Sequence, residues 1–424
     1  MLRVYRYLTY LLFPIFILLV YLRSIFGKED KKRFKEKLFS SHFNVHKDSN
    51  KKLVWFHAAS IGECLSILPL IKEMSSENKK INFLLTTVTL SSSRLLEKKL
   101  NQYNNITHRF FPLDLENLAE NFLNLWQPDL ICFVDSEIWP NFLFKIKKKN
   151  IPLLLINARL TKKSFSKWLL ISNFAKKVFG NFDLCLAASE ESKNNLIELE
   201  VKNLKYIGNL KYSVQNEFLD KIKDSNKKIL NNHKTWCAAS THNGEELIIL
   251  KAHTEIKKKY SNVLTIIVPR HIERSFYISD ISKKLNLNTQ VLNDNDSINF
   301  NTEILIINSF GVLPKYFRYC KSIFIGKSFV KEKKKVGGQN PIEAAKLGCK
   351  IFHGPYVYNF QEVYNHLKSY DIAEEINDGL ELAKKITKNF DTPVMENHKR
   401  VNLLNNYGLK ILKETTKELN RYLK

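Results

Sequence analysis

The sequence predicts an α/β protein of two successive domains, each a parallel sheet wrapped by helices. Three observations lead there. The chain has 424 residues, more than one ordinary hydrophobic core serves, so two domains of roughly 200 residues are expected. From about residue 50 onward, short apolar runs alternate with amphipathic stretches, the pattern of βαβ units around a buried parallel sheet. The pattern then restarts: "WCAASTHNGEE", residues 236–246, echoes "WFHAASIGE", residues 55–63.

The first element stands apart from this pattern. "YLTYLLFPIFILLVYL", residues 7–22, carries no charge. It is slightly short for a membrane span, which takes about 20 residues, though its flanks can extend it. Arg23, Lys28, Lys31, Lys32, Arg33, Lys35 and Lys37 follow it. Such a collar keeps the bulk of a protein on the cytoplasmic side. Arg3 and Arg6 make translocation of the other end costly, so a helix lying in the inner leaflet stands beside a spanning one. A buried core helix is the structural alternative. Residues 1–27 are read as the anchor.

Strand-like runs come next: "LVWFHA", "INFLLTT", "LICFVDS", "IPLLLIN" and "LCLAAS", with helical patterns such as "LAENFLNLW" and "FAKKVFG" between them. They define a first domain over residues 28–210. The polar stretch "KDSNKKILNNHK" falls within a link between about residues 206 and 234. "NVLTIIVPR", "EILIINS", "SIFIGKS" and "KIFHGP" define a second domain over 211–400. Residues 401–424 read as a long helix packing back on the first domain. Two such domains facing each other would leave a cleft lined by the carboxyl ends of their strands, where open α/β sheets bind ligands.

Lys and Arg number 67 against 42 Asp and Glu, a formal net charge of +25. That excess attracts polyanions, whether nucleic acid, an anionic membrane face or phosphorylated substrates. The basic residues are dispersed and no DNA- or RNA-binding motif is present, which disfavours nucleic acid. The six cysteines form no CxxC pair and most lie in apolar runs. They read as reduced, buried thiols in a cytosolic protein, with neither a disulfide frame nor a zinc site. No metal and no cofactor is expected.

Several short stretches place polar groups where strands hand over to helices. Ser60 and Glu63 fit the S-x-x-E capping box. Gly62, a poor helix former, would also let a ligand approach, and the helix dipole would hold Glu63 ionised as a general base requires. Cap and base both remain open from the motif. In "VDSEIWPN", alternation puts Asp135 and Glu137 on one side of the chain after a strand. "NARLTKKS" offers Arg159 as an anion ligand, and "GNLKY" puts Lys211 beside the link. In the second half, "STHNGEE" opens a helix with Ser240 and Thr241 as candidate caps, and "VPRH" sets Arg270 and His271 at a strand end. "KVGGQNPIEAA" pairs a flexible Gly337–Gly338 turn with Asn340 as cap and Pro341 at the first helical position. Such a start presents free N–H groups to a phosphate, and Glu343 could accept from ribose hydroxyls. A plain cap is the alternative. Neither a P-loop nor G-x-G-x-x-G after the first strand is present, which disfavours a Walker ATPase or a standard NAD enzyme.

Taken in order, "HAASIGE", "DSEIWPN", "NARLTKKS", "GNLKY", "AASTHNGEE", "VPRHIER", "GGQNPIEAA" and "GPYVYNF" resemble the 3-deoxy-D-manno-octulosonic acid (Kdo) transferases of Gram-negative bacteria. The resemblance runs from the amino terminus to about residue 365. It implies a GT-B glycosyltransferase fold, two Rossmann-like domains with the active site between them. It implies transfer of Kdo from CMP-Kdo to a lipid A precursor in lipopolysaccharide biosynthesis, at the cytoplasmic face of the inner membrane. By resemblance Glu63 is the base, while Glu137 and Lys211 stabilise the transition state. CMP contacts fall on Pro269 and Arg270, on Phe310, Gly311 and Val312, and on Asn340, Pro341, Ile342 and Glu343.

The chain departs from the family pattern in places. "NSFGV", residues 308–312, stands where the family has Asp-Thr-Met-Gly-Glu, so Val312 replaces a glutamate. Gln339 stands for histidine, Lys327 for glycine, and Asp135 for the first glutamate of E-x-E. These changes bear on nucleotide affinity more than on chemistry. Another GT-B enzyme using a UDP- or GDP-sugar, and a catalytically inactive membrane-bound homologue, are the competing readings.

Overall fold

The computed structural model describes residues 1–45, 48, 50–100, 103–214, 222–294, 296–309, 311–330, 337–392 and 394–423, with helix residues 394–397 by backbone alone. The chain divides into two compact units, Met1–Gln215 with Tyr407–Lys424, and Asn216–Asn406. The division falls beyond the expected boundary at residue 210, and Lys211 therefore belongs to the first unit.

The first unit carries strands β1 (Lys52–His57), β2 (Ile81–Thr87), β3 (Ile106–Phe110), β4 (Leu130–Val134), β5 (Leu153–Ala158), β6 (Leu184–Ala187) and β7 (Leu204–Tyr206). They pair in the order β3-β2-β1-β4-β5-β6-β7, and each pairing is parallel. The second unit carries β8 (Lys234–Thr241), β9 (Val263–Pro269), β10 (Thr289–Leu292), β11 (Ile304–Ile307), β12 (Ser322–Ile325), β13 (Lys350–His353) and β14 (Ala373–Glu375). Its order is β10-β11-β9-β8-β12-β13-β14, again all parallel.

Helices on both faces of each sheet explain why the central strands are almost unbroken apolar runs rather than alternating ones. Trp55 of β1 is fully buried, and its ring packs against those of Phe111, Phe122, Phe133 and Phe142. In both units the first strand lies between neighbours reached by chain runs in opposite directions. That topological switch opens a crevice at the carboxyl ends of β1 and β4, and of β8 and β12, where such sheets bind ligands.

The segment from Tyr407 packs on the first unit. Gly408 sits so close to Tyr212 that a Cβ there would lie 2.1 Å from the Tyr212 carbonyl oxygen. The Tyr212 and Tyr407 rings meet edge to face at 5.1 Å, and Lys205 pairs with Glu418 at 2.8 Å. All six cysteines are buried.

The amino-terminal helix Leu2–Ile25 is long and apolar enough to cross a membrane by length and composition, with a mean hydropathy of 2.0. Its basic collar is thinner than its sequence suggests. Arg23 and Lys37 both bind the buried Glu29, at 2.8 and 2.5 Å, and Arg33 binds Glu36 at 2.8 Å and Glu97 at 3.2 Å. Lys28, Lys31 and Lys32 remain exposed.

Candidate active site

β1 ends at His57, and a turn of small residues leads to Ser60, the N-cap of helix Ile61–Glu77. The capping box is complete. Ser60 Oγ donates to Glu63 Oε1 at 2.6 Å, the Ala59 N–H donates to Oε2 at 2.8 Å, and the Glu63 N–H donates to Ser60 Oγ at 3.4 Å. A carboxylate has about four acceptor sites, so the cap fixes the side chain without exhausting it. The motif's two readings are compatible: the cap aims the group that a base would need.

The surroundings of Glu63 push its acidity in the opposite direction from the helix dipole. Burial raises the Glu63 pKa, and nearby Asp135 and Glu137 raise it further, outweighing the hydrogen bonds from Ser60 and Ala59. Glu63 thus holds a proton more readily than an ordinary carboxylate, which favours proton abstraction. Gly62 is not forced by packing, since a Cβ there would meet Lys211 Cε at an ordinary 3.8 Å.

The carboxylates after β4 reach the same crevice by a turn rather than by strand alternation. Asp135 has φ of 63°, a left-handed conformation that an aspartate tolerates better than most residues. It is buried, and its Oδ2 lies 3.3 Å from Lys211 Nζ. Glu137 Oε2 accepts from Trp139 Nε1 at 2.8 Å and lies 3.2 Å from His57 Nε2. Burial alone would raise the Glu137 carboxyl, but His57 and Trp139 hold it below the usual range. The two glutamates are therefore pushed apart in acidity, the arrangement by which one fold assigns separate roles to two carboxylates.

Lys211 is placed by its neighbours in the chain. Asn209 Oδ1 accepts its N–H at 3.0 Å, and Asn157, at the end of β5, accepts the Leu210 N–H at 2.8 Å. Gly208 has φ of 103°, a left-handed conformation that disfavours any larger residue, and a Cβ there would press on the Tyr407 hydroxyl at 2.8 Å. Asn157 is the residue that sequence reasoning missed in "NARL". Arg159, singled out instead, helps to line a recess of about 130 Å³ with Asp135, Ser136, Ser164 and Trp168.

In the second unit the organiser is Glu245, another residue not identified from sequence. It is fully buried. It accepts four backbone N–H bonds, from His242 at 2.9 Å, Lys327 at 2.8 Å, Ser328 at 2.8 Å and Phe329 at 3.1 Å. This ties the turn after β8 to the turn after β12. Ser240 and Thr241, candidate caps by sequence, are the end of β8 instead, and Gly244 stands at the N-cap of helix Glu245–Lys257. Lys327 has φ of 58°, which accounts for the glycine preferred there.

The Gly337–Gly338 turn is pinned rather than flexible. A Cβ at Gly337 would lie 2.3 Å from the Tyr356 oxygen, and one at Gly338 2.9 Å from Val357 Cα. Pro341 is the N-cap of the short helix Ile342–Lys346, not its first helical residue, while Asn340 Oδ1 accepts the Ile342 N–H at 3.2 Å. Burial pushes the Glu343 carboxyl up to about 7. Pro269 ends β9 in a buried position and Arg270 is exposed beside it, its N–H bonded to the Thr241 oxygen at 3.1 Å. The His242 and His271 rings lie 5.9 Å apart. Gly311 has φ of 74°, with no atom of the described residues within 4 Å of where a Cβ would stand, and Val312 is the half-buried N-cap of helix Leu313–Phe317. Phe310 lies outside the described residues.

Two parallel units of this kind define the GT-B class. Among solved structures, UDP-GlcNAc 2-epimerase from Neisseria meningitidis matches with a TM-score of 0.56 at 15% identity, covering 87% of this chain and 99% of that one. Anabaena Alr3699/HepE matches with a TM-score of 0.56 at 14% identity, over 87% of this chain and 100% of that one. These likenesses concern the fold. The family comes from sequence. The 3-deoxy-D-manno-octulosonic acid transferase of Rickettsia bellii is 32% identical over 428 residues, 100% of this chain and 98% of that protein. That of Haemophilus influenzae is 30% identical over 377 residues, 87% of this chain and 85% of that protein. The family model for 3-deoxy-D-manno-octulosonic-acid transferase (kdotransferase) matches residues 32–214. The chain belongs to the 3-deoxy-D-manno-octulosonic acid transferase family and is a glycosyltransferase.

Proposed function

We propose that this enzyme transfers Kdo from CMP-Kdo to a hydroxyl of the glucosamine disaccharide of a lipid A precursor (lipid IVA), at the cytoplasmic face of the inner membrane. The reaction is one inverting displacement. The acceptor oxygen bonds to the anomeric carbon as the bond from that carbon to the CMP phosphate oxygen breaks. Glu63 takes the hydroxyl proton and CMP departs. Glu137 stays ionised, and Lys211, held by Asp135, offers positive charge beside the reacting groups. Arg270 and the turn at Asn340 meet the CMP phosphate, while Glu343 accepts from ribose. Pro269, Gly311, Val312, Pro341 and Ile342 complete the nucleotide contacts carried over from the family. The apolar amino-terminal helix holds the enzyme at inner-membrane phospholipids, near its phosphorylated lipid substrate.

The observation behind this reading is the Glu63 carboxylate, aimed by its cap and made more basic by burial and by its carboxylate neighbours. Glu63→Gln tests it. The variant should bind CMP-Kdo and melt within a few degrees of the parent, yet transfer no Kdo to a tetra-acylated acceptor. Near-normal turnover would remove Glu63 from the mechanism. A nucleotide screen separates the donor class, because CMP should bind more tightly than UDP or GDP.

A further inference from the structure

The amino-terminal helix Leu2–Ile25 is fastened to the first unit at both ends. Near its start, the Tyr5 hydroxyl donates to Asp114 Oδ2 at 2.8 Å and Arg6 pairs with Glu116 at 2.9 Å. Midway, Phe13 and Ile17 pack on Val20, Phe34 and Leu38. Near its end, Val20 and Ser24 are buried, and the Tyr21 ring meets Phe34 edge to face at 4.9 Å. The partners are themselves anchored. Asp114 also accepts the N–H groups of Asn141 and Phe142, at 3.1 and 3.0 Å, and Glu116 also binds Lys145 at 2.9 Å.

A helix rises 1.5 Å per residue, so Tyr5 and Tyr21 are separated by about 24 Å along the axis. That is most of a hydrocarbon core roughly 30 Å thick. A spanning helix would place Arg6 and Arg23 on opposite sides of the bilayer. Here both ends rest on one folded body, so spanning would break the Tyr5–Asp114 and Arg6–Glu116 contacts or drag both carboxylates into hydrocarbon, where a charged group is strongly disfavoured.

The opposite face is free and apolar. Val4, Leu8, Leu11, Ile15, Leu18 and Leu22 are all exposed and recur every three or four residues, which makes one continuous stripe. A stripe of that length is not left to water. Exposed Lys28, Lys31 and Lys32 follow it, and such charges are attracted to anionic headgroups.

We propose that this helix does not cross the bilayer but lies along the first unit, with its free stripe sunk into the headgroup–acyl boundary of an anionic membrane. The inference rests on the membrane reading above and adds its geometry. Seated this way, the globular unit is held against the surface instead of swinging on a tether.

The test uses the full chain with one added cysteine at Val4, Leu11, Leu18 or Ile25, labelled with an environment-sensitive fluorophore. The native cysteines are buried, so the added thiol reacts first. The probe is vesicles of phosphatidylethanolamine and phosphatidylglycerol carrying quenchers at known depths. All four positions should be quenched best by the same shallow quencher. Deepest quenching at Leu11 and Leu18, with Val4 and Ile25 near the surface, would overturn the inference while leaving membrane attachment intact. A chain that fails to float with any vesicle would sink both readings. A detergent-free dimer with the four labels shielded from water would show that a second copy covers the stripe, and would also overturn it. As a further readout, Leu11→Ser with Leu18→Ser should weaken vesicle partition by about tenfold or more; unchanged partition would count against the proposal.

Discussion

Lys211 Nζ lies 3.3 Å from Asp135 Oδ2, and this pair joins the turn after β4 to the loop after β7 beside the helix that carries Glu63. Asp135 is buried, so the lysine does more than contribute charge to the crevice. It also stabilises a carboxylate that would otherwise be desolvated without compensation.

Lys211→Met should therefore destabilise the enzyme by about 3 kcal/mol. The double variant Asp135→Asn with Lys211→Met should recover most of that loss in chemical denaturation and still transfer Kdo poorly. Recovery of turnover along with stability would show that Lys211 acts on folding alone.

Ser60→Ala removes the hydroxyl from the capping box and should cost about 1 kcal/mol. It also removes a hydrogen bond that lowers the Glu63 pKa. The acid limb of kcat/KM should accordingly move to higher pH. A variant that loses stability with an unmoved limb would dissociate Glu63 from the rate.

Glu343 gives a stability profile with a definite sign. Burial raises its folded pKa from 4.5 to about 7. The protonated form suits the fold, so its favourable contribution is complete below about pH 4.5 and is lost as pH climbs through 7. Glu343→Gln should be more stable than the parent at pH 8, by on the order of 2 kcal/mol, and indistinguishable from it near pH 4.5. On the proposed contact between Glu343 and ribose, CMP affinity of the parent should rise over the same interval, because an ionised carboxylate is the better acceptor. Thermal melts and calorimetric titration at both pH values check the two halves.

Lys327 holds φ of 58°, which costs a non-glycine residue about 1 kcal/mol. Lys327→Gly should consequently be more stable than Lys327→Ala by about 1 kcal/mol, although glycine ordinarily loses such comparisons. Equal melting temperatures would mean that the turn relaxes.

Glu245→Gln should be among the most damaging single changes in the second unit. Glutamine offers one acceptor oxygen to four N–H donors and turns its own NH2 toward some of them. A loss of about 3 kcal/mol is expected, read as a lowered melting temperature with weakened CMP binding. A neutral variant would mean that Glu245 does not organise the turns after β8 and β12.

The strands absent from the sequence pattern are instructive. Ile106–Phe110, Leu204–Tyr206, Thr289–Leu292 and Ala373–Glu375 escaped detection, and each is the edge strand of its sheet. Edges are covered less fully, and these four carry mixed burial, so they lack the apolar runs that mark central strands. Motif residues behaved similarly. Glu63 and Glu137 were visible because strand–helix junctions expose polar groups in recognisable local patterns. Asn157 and Glu245 were not, because their partners, Leu210 and the Lys327–Phe329 turn, lie far along the chain.

The sequence by itself determined the class: repeated apolar runs, matching junctions and an ordered set of motifs suffice for two parallel α/β units of the Kdo transferase family, since local periodicity and turn chemistry are written in neighbouring residues. Only the tertiary structure decided which charges are spent on one another. Arg23, Arg33 and Lys37 bind Glu29, Glu36 and Glu97, Lys211 binds Asp135, and the first helix lies along its own unit. Such pairings depend on distances of a few ångströms between distant segments, and on the loss of water around them, neither of which a linear order of residues encodes.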